Sequence, residues 1–146
     1  MLGRLRTKQK LGELGITQDT DCLLCGCCTE TIPHLFFNCD YSKQCLQEIK
    51  TWLQWRCQGL SMDAILKWIR KAKISAVKRK IFQLVTAAMV YNIWRVRNEV
   101  LWSFKLWMVS NTVQRIKQDI RLRLRMYMPK KATVNEKEWV ECICLK

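Results

Sequence analysis

Four potential metal ligands stand at a spacing that constrains the fold of this chain more than any other feature. Cys22 and Cys25 are separated by two residues, His34 follows after eight more, and Cys39 after a further four. Two cysteines so spaced reach one metal ion from a tight turn, and Gly26 stands where the backbone must turn back. Three thiolates and one imidazole leave no position for water, which is typical of structural zinc. The spacing therefore predicts a Zn²⁺ site built by these four side chains.

Further cysteines leave alternatives open at this site. Cys25 and Cys28 also form a Cys-x-x-Cys pair with Cys27 between them, so Cys27 or Cys28 can replace one of the first two ligands. The same crowding is compatible with free or redox-active thiols. The chain has nine cysteines, an odd number that does not suit a closed disulfide framework, and this favours metal-bound thiolates in a reducing compartment. Cys45 and Cys57 are expected to be buried core thiols.

Positive charge is concentrated in residues 62–131, which hold 17 Lys and Arg against three Asp and Glu, while the whole chain carries a net charge of +14. Such segregation indicates a polyanionic partner, for which we favour nucleic acid over solvated helix faces, and we expect no membrane partner. Trp55 or Trp68, if exposed, can stack on unpaired bases, although most tryptophans are expected in the core. The predicted nucleic-acid contacts form two basic patches. The first patch consists of Lys67, Arg70, Lys71, Lys73, Lys78, Arg79 and Lys80. The second patch consists of Arg115, Lys117, Arg121, Arg123 and Arg125, and Lys130 and Lys131 extend it.

Helical periodicity dominates from Tyr41 onward. Apolar residues recur every three or four positions, and the helical signal is strong from Ser75. Asp40 or Ser42 can cap the first of these helices and Ser61 or Asp63 the second, and Pro129 ends the last stripe. The composition of 49% hydrophobic and 26% charged residues is that of a globular protein. We predict a mostly α-helical fold, in which a small zinc knuckle with a short hairpin packs on a helix and two to three long amphipathic helices follow. The predicted parts are a Cys₃His zinc-binding lobe (residues 1–58), a basic helical region (59–128) and a poorly ordered tail (129–146).

Short runs around the predicted ligands carry a resemblance. They are Arg4-Leu-Arg-Thr-Lys-Gln-Lys-Leu11, Gly15-Ile16, Cys22-x-x-Cys25-Gly26, Glu30-Thr31, His34-Leu-Phe-Phe-x-Cys39 and Tyr41-Ser42. This set resembles the zinc-binding domain of plant LINE-type (non-LTR) retrotransposon reverse transcriptases. The later run Tyr91-Asn-Ile-Trp94-Arg95-x-Arg97-Asn98 is similar to the helical segment that follows in that family. The resemblance covers roughly residues 4–102.

The resemblance implies a zinc domain that holds the element's RNA or the target DNA, with Cys22, Cys25, His34 and Cys39 as its metal ligands. Arg97 and Asn98 resemble a structural pair that caps or braces helices. The family usually has a tryptophan-containing helix before Arg4, and here only three residues precede it. This departure suggests a retroelement remnant or a truncated gene product.

Catalysis is not expected from these residues. Polymerase and RNase H chemistry needs clustered carboxylates for two magnesium ions, and the five aspartates show no such pattern. The leading prediction is a non-catalytic module that binds RNA or single-stranded nucleic acid, with RNA favoured over duplex DNA. The alternatives are a protein-interaction or scaffold module, which would bind a partner or a second copy through exposed helix faces, and a remnant without selected function. An intracellular location in the nucleus or cytoplasm is expected, with the mitochondrion as an alternative.

Overall fold

Helices account for most of the chain. The computed structural model describes residues 4–126 and 132–145. In chain order the elements are α1 (Lys8–Glu13), a π-helical turn (His34–Asn38), α2 (Asp40–Leu53), α3 (Met62–Lys71), α4 (Ala76–Ser103), α5 (Val109–Met126) and α6 (Val134–Leu145). Within those two ranges, strand-like pairing is limited to one antiparallel bridge between Asp21 and Thr29. The prediction of a mostly α-helical fold is confirmed.

Ser61, a proposed N-cap, begins α3, and Ser75 begins α4. The proposal that Asp40 or Ser42 caps the helix before them is wrong, because both lie inside α2, whose N-cap Cys39 makes no side-chain capping bond. The Ser61 side chain accepts a hydrogen bond from the amide of Ala64, and the Ser75 side chain accepts one from the amide of Lys78, both at 3.2 Å. The helix that Ser75 begins, α4, runs for 28 residues, or about 42 Å, because no glycine or proline interrupts it. None of the described helices combines the length and the apolarity that a bilayer span requires.

One hydrophobic core joins the cysteine-rich segment to the helices. Helix α4 packs on α5 and α2 also packs on α5, and Ile49, Ile93 and Ile116 from these helices are fully buried. The Tyr41 hydroxyl and the Thr112 hydroxyl share a buried hydrogen bond of 2.7 Å between α2 and α5. The predicted lobes therefore share one core, and the boundary between residues 58 and 59 remains a prediction.

The prediction of a poorly ordered tail is wrong for residues 132–145, which contain helix α6. Glu136 accepts hydrogen bonds from the amide and the hydroxyl of Thr133 at 2.7 and 3.0 Å, and its own amide donates to the Thr133 hydroxyl at 3.3 Å. This reciprocal pairing is a capping box, whose Thr-x-x-Glu signature was readable in the sequence. Val140 and Ile143 are buried, so packing against the core stabilises the helix. The predicted stop at Pro129 and the predicted contacts Lys130 and Lys131 lie outside the described residues.

Candidate metal centre

The loop before the π-helical turn carries two of the four potential ligands. The amide of Cys22 donates to the carbonyl of Cys28 at 2.8 Å, and the amide of Gly26 donates to the carbonyl of Cys22 at 2.7 Å. Gly26 has a φ of 66°, in the left-handed region that side chains rarely adopt. The glycine after the second cysteine therefore lets the backbone fold back, and both thiols face the same point.

The π-helical turn carries the other two potential ligands. The amide of Cys39 donates to the carbonyl of His34 at 2.7 Å, which closes a turn five residues wide. Because residues 34 and 39 are five apart, this wide turn suits them better than an α-helical turn. Leu35 and Phe36 are completely buried between the two positions and anchor the turn in the core. The turn thus has a potential ligand at each end and core anchors between them.

The four side chains meet in one cluster. The ligand atoms of Cys22, Cys25, His34 and Cys39 all lie within 4.8 Å of one another. The Cys25 Sγ lies 3.3 Å from His34 Nε2, so this ring nitrogen faces the thiols. Zinc–sulfur bonds of about 2.3 Å in a tetrahedron place neighbouring ligand atoms about 3.5–4 Å apart, so ligand atoms within 4.8 Å of one another need only small shifts to bind one ion. The donor set and its dimensions fit a four-coordinate metal ion.

Two of the thiols interact directly. A hydrogen bond from Cys22 lowers the pKa of the Cys39 thiol, and the same hydrogen bond, together with burial, raises the pKa of the Cys22 thiol. A metal binds thiolates rather than thiols, so a metal ion that enters the cluster displaces the thiol protons of its ligands.

The cysteines beside the cluster lie outside it. Cys27 and Cys28 are both exposed, and the Cys27 thiol donates a hydrogen bond to the carbonyl of Cys25 at 2.9 Å. Their side chains do not join the group of four. Cys45 and Cys57 are buried, as expected of core thiols.

A buried ion pair connects the cluster to α4. The carboxylate of Glu30 accepts from the Arg97 Nε and Nη2 atoms at 3.0 and 2.8 Å, and both side chains are almost fully buried. Glu30 also accepts from the amides of Lys8 and Leu23 at 2.8 and 3.3 Å, and Leu23 directly follows Cys22. Arg97 also donates to the Asn98 side chain at 3.1 Å, so the expected structural pair forms, and the buried partner of Arg97, Glu30, lies in the cysteine-rich segment and not in a second helix. The role of Glu30 was not identified from the sequence, because a single sequence gives no sign that two residues 67 positions apart form an ion pair.

The predicted nucleic-acid contacts divide by exposure. Seven are exposed, namely Lys67, Arg70, Lys71, Lys73, Lys80, Arg123 and Arg125, and the half-buried ones are Lys78, Arg79, Arg115, Lys117 and Arg121. Arg79 donates from Nε to the carbonyl of Ile69 at 3.0 Å and from Nη2 to that of Ala72 at 3.4 Å, so it caps the C-terminus of α3. The Arg115 guanidinium lies 4.7 Å from the centre of the Trp107 ring and 3.7 Å from Glu99. These two arginines make structural contacts within the fold.

Helix α6 brings the two predicted basic patches to neighbouring turns. Lys78 Nζ lies 5.0 Å from the centre of the Trp139 ring, and Arg121 Nε donates to the carbonyl of Ile143 at 3.5 Å. Residues 139 and 143 are one helical turn apart, about 6 Å along the axis. A residue from each patch therefore contacts the same short helix, which sequence reasoning had treated as a tail.

Of the two tryptophans considered for base stacking, one is excluded. Trp55 is only 5% exposed, and its ring stacks on Phe82 with centroids 4.7 Å apart. Trp68 is half-buried and packs against the edge of Phe82 at 5.7 Å. Trp68 therefore keeps accessible surface for a ligand, whereas Trp55 belongs to the core.

Comparison with known protein families gives a match to the N-terminal part of the chain. Residues 1–45, about a third of the chain, match the family model described as zinc-binding in reverse transcriptase. The matched segment contains all four residues of the cluster, and the similarity noted for residues 46–102 lies beyond it. No curated protein and no solved structure matches the chain. The match and the cluster together support a zinc-binding module of the kind found in reverse transcriptases.

Proposed function

We propose that this chain is a zinc-binding module that holds single-stranded nucleic acid, RNA in preference to duplex DNA, and that it derives from a LINE-type retrotransposon reverse transcriptase of a plant. Cys22, Cys25, His34 and Cys39 would hold one Zn²⁺ ion, which stabilises the cysteine-rich segment against unfolding. Zinc suits this role because it accepts three thiolates and an imidazole without redox chemistry. The basic helices would hold the phosphates.

The main support for nucleic-acid binding is that residues of both basic patches contact α6. Lys78 contacts Trp139, Arg121 contacts the next turn of α6, and Lys117 and Arg121 both lie over Trp52 at 5.5 and 5.6 Å. Exposed cations extend the surface along α3, at Lys67, Arg70 and Lys71. Cations grouped in this way neutralise successive phosphates and release their counterions. This grouping supports a polyanion as the partner.

We further propose that the module is not an enzyme. Two-metal phosphoryl transfer requires carboxylates that converge on one site. Two of the aspartates are engaged elsewhere, since Asp19 pairs with Lys8 and Asp119 accepts a hydrogen bond from Asn92 at 3.0 Å. Magnesium-dependent DNA synthesis by the pure protein on a primed RNA template would contradict this proposal.

Fluorescence anisotropy at several salt concentrations tests the binding. The zinc-loaded protein is titrated into labelled single-stranded RNA and into duplex DNA. We expect log K to fall linearly with log salt, with a slope of about −0.7 for each phosphate contacted on the single strand, and we expect tighter binding of RNA. The double variant Lys71→Gln, Lys73→Gln should make this slope less steep by about 1.4.

A matched control separates local contacts from net charge. Lys10→Gln combined with Lys43→Gln removes the same charge from exposed lysines that pair with Glu13 and Asp40 in the zinc-binding lobe. This control should keep the wild-type slope. Equal losses in the two double variants, or no binding of any strand at low salt, would overturn the proposal.

A second candidate function is contact with another protein. At the end of α4 and in the segment before α5, Trp102, Phe104 and Met108 are 79%, 91% and 69% exposed. Phe104 also has a φ of 53°, an uncommon backbone conformation for a bulky residue. Large apolar side chains held in water are typical of a docking surface. If this segment docks a second copy, light scattering should show a mass that rises with concentration and becomes constant in Phe104→Ser.

A further inference from the structure

A cavity opens where four helical elements meet. Its volume is about 370 Å³, and it lies between the end of α2, helix α3, the first turns of α4, and α6. Three aromatic rings line it, those of Trp68, Phe82 and Trp139, together with the polar side chains of Gln54, Arg56 and Lys78. Volumes of about 300–1,000 Å³ are typical of small-molecule sites. The cavity is thus large enough for a ligand with one ring system.

The aromatic walls are held in place by one another. Phe82 stacks on the buried Trp55 at 4.7 Å and meets the rings of Trp68 and Trp139 nearly edge to face at 5.7 and 6.0 Å. Phe82 is 4% exposed, whereas the two indoles beside it are only partly buried. The buried Phe82 ring fixes the positions of two partly accessible indoles. Such a site favours a flat apolar ligand, because stacking is most favourable on surfaces that are already held in place.

The charge at the cavity is positive. Arg56 is exposed, and Lys78 Nζ lies 5.0 Å from the centre of the Trp139 ring. The described lining residues include these two cations and no carboxylate. The Glu136 carboxylate, whose charge Lys78 stabilises, accepts hydrogen bonds from Thr133, and hydrogen bonding by Ser75 lowers its pKa. An anionic group on the flat ligand is therefore favoured.

We propose that this cavity receives one unpaired nucleotide of the bound strand, with its base stacked on Trp139 or Trp68 and its phosphate at Arg56 and Lys78. This proposal rests on the proposed function, and it identifies the site at which the protein would contact the face of a base in addition to the phosphates. Stacking requires no particular base, since every base has an aromatic face. The site would therefore select single strands over duplexes, whose bases are already stacked.

The surrounding cations continue the path of the strand. Lys71 lies three residues after Trp68 on α3, so the two side chains share one face of that helix. Arg121 contacts α6 one turn beyond Trp139. Phosphates on either side of the inserted nucleotide thus meet cations on α3 and on α5.

Two strands with the same backbone charge test the proposal. Zinc-loaded protein is titrated with decathymidylate and with a ten-unit strand that has abasic sugars in place of nucleosides. The wild type should bind the base-bearing strand at least about fivefold more tightly, the lower end of the measured effect of aromatic stacking. Trp139→Ala should remove most of this preference and leave the affinity for the abasic strand unchanged.

Two further variants keep the test informative if Trp139→Ala loosens α6. Trp139→Phe retains an aromatic face and should restore much of the preference, and Arg56→Gln, at an exposed position, should weaken the binding of both strands. Trp102→Ala is the matched control, because Trp102 is an exposed tryptophan 20 residues beyond Phe82 on α4, about 30 Å away.

The outcomes separate this inference from the proposed function. If the wild type binds neither strand, the proposed function fails, and the inference fails with it. If both strands bind equally, or if Trp102→Ala removes the preference while Trp139→Ala keeps it, the cavity does not receive a base, although the proposed function stands. Photo-crosslinking of 5-iodouridine strands gives a direct check, with attachment expected at Trp68 or Trp139.

Discussion

Glu30 and Arg97 form a buried ion pair that joins the cysteine-rich segment to the middle of α4. Two guanidinium nitrogens donate to one carboxylate oxygen of Glu30 at 3.0 and 2.8 Å. The same carboxylate holds the amide next to Cys22 and the first amide of α1. One side chain therefore sets the position of the candidate metal centre relative to the helices.

Loss of the Glu30 charge should destabilise the whole protein. In Glu30→Gln the Arg97 charge stays buried without its partner, which costs about 3–5 kcal/mol of unfolding free energy. Urea denaturation of the zinc-loaded protein measures the change. Glu13→Gln is the control, because Glu13 pairs with Lys10 on the surface, where an ion pair is worth about 0–1 kcal/mol. Equal effects of the two substitutions would contradict the role given to Glu30.

Removal of a metal ligand should unfold the zinc-binding lobe. Structural zinc contributes on the order of 10 kcal/mol of coupled binding and folding, so Cys22→Ser or His34→Ala should lose the ion and the ordered structure of residues 1–58. Elemental analysis should give one zinc per chain for the wild type, and circular dichroism should follow the loss of helix. Cys28→Ser changes an exposed thiol outside the cluster and should keep both zinc and melting temperature. Unchanged zinc content and melting in Cys22→Ser would rule out this ligand set.

The burial of Tyr41 should make stability fall at alkaline pH. Burial raises the pKa of Tyr41 to about 12 from its ordinary value of 10.0. Between these values the unfolded chain has lost the phenolic proton and the folded chain keeps it. The unfolding free energy contributed by Tyr41 is therefore complete below pH 10 and falls by about 1.4 kcal/mol per pH unit as the pH rises toward 12.

Tyr41→Phe provides the comparison for this pH dependence. The variant should lose about 1 kcal/mol at neutral pH, because Thr112 is buried and loses its partner. Its unfolding free energy should decline less steeply than that of the wild type between pH 10 and 12, as measured by urea denaturation at each pH. Parallel curves for the two proteins would show that Tyr41 ionises in the same way when folded and unfolded.

Arg79 and Lys80 are neighbours with different expected roles. Arg79→Gln removes the bonds to the carbonyls of Ile69 and Ala72 and should lower the unfolding free energy by about 1–2 kcal/mol, while nucleic-acid affinity is unchanged. Lys80→Gln changes an exposed side chain and should instead weaken binding of single strands, with stability kept within about 0.5 kcal/mol. If Arg79→Gln instead weakened the binding of single strands and left stability unchanged, Arg79 would belong to the binding surface.

Local patterns in the sequence were sufficient for several features of the structure. The potential metal ligands lie within residues 22–39, so short turns alone bring them together, and the glycine at position 26 signals the turn. Ser61 and Ser75 mark helix starts because a side-chain cap depends only on the next three residues. Arginine and leucine alternate from Arg121 to Arg125, which would also fit a strand, but the run continues the helical apolar stripe before it and lies in α5.

Other features depended on residues far apart in the chain. The sequence by itself determined the helical class, the cysteine–histidine cluster and the sign of the charge, because periodicity, ligand spacing and composition are local properties. Only the tertiary structure decided that Glu30 pairs with Arg97, that Arg79 caps α3, that Trp55 is buried, and that α6 joins the two basic patches beside a cavity. The physical reason is that burial and ion pairing depend on residues that are distant in the chain and close in space. A single sequence does not indicate whether a given charged or aromatic side chain contacts water, a partner or the core.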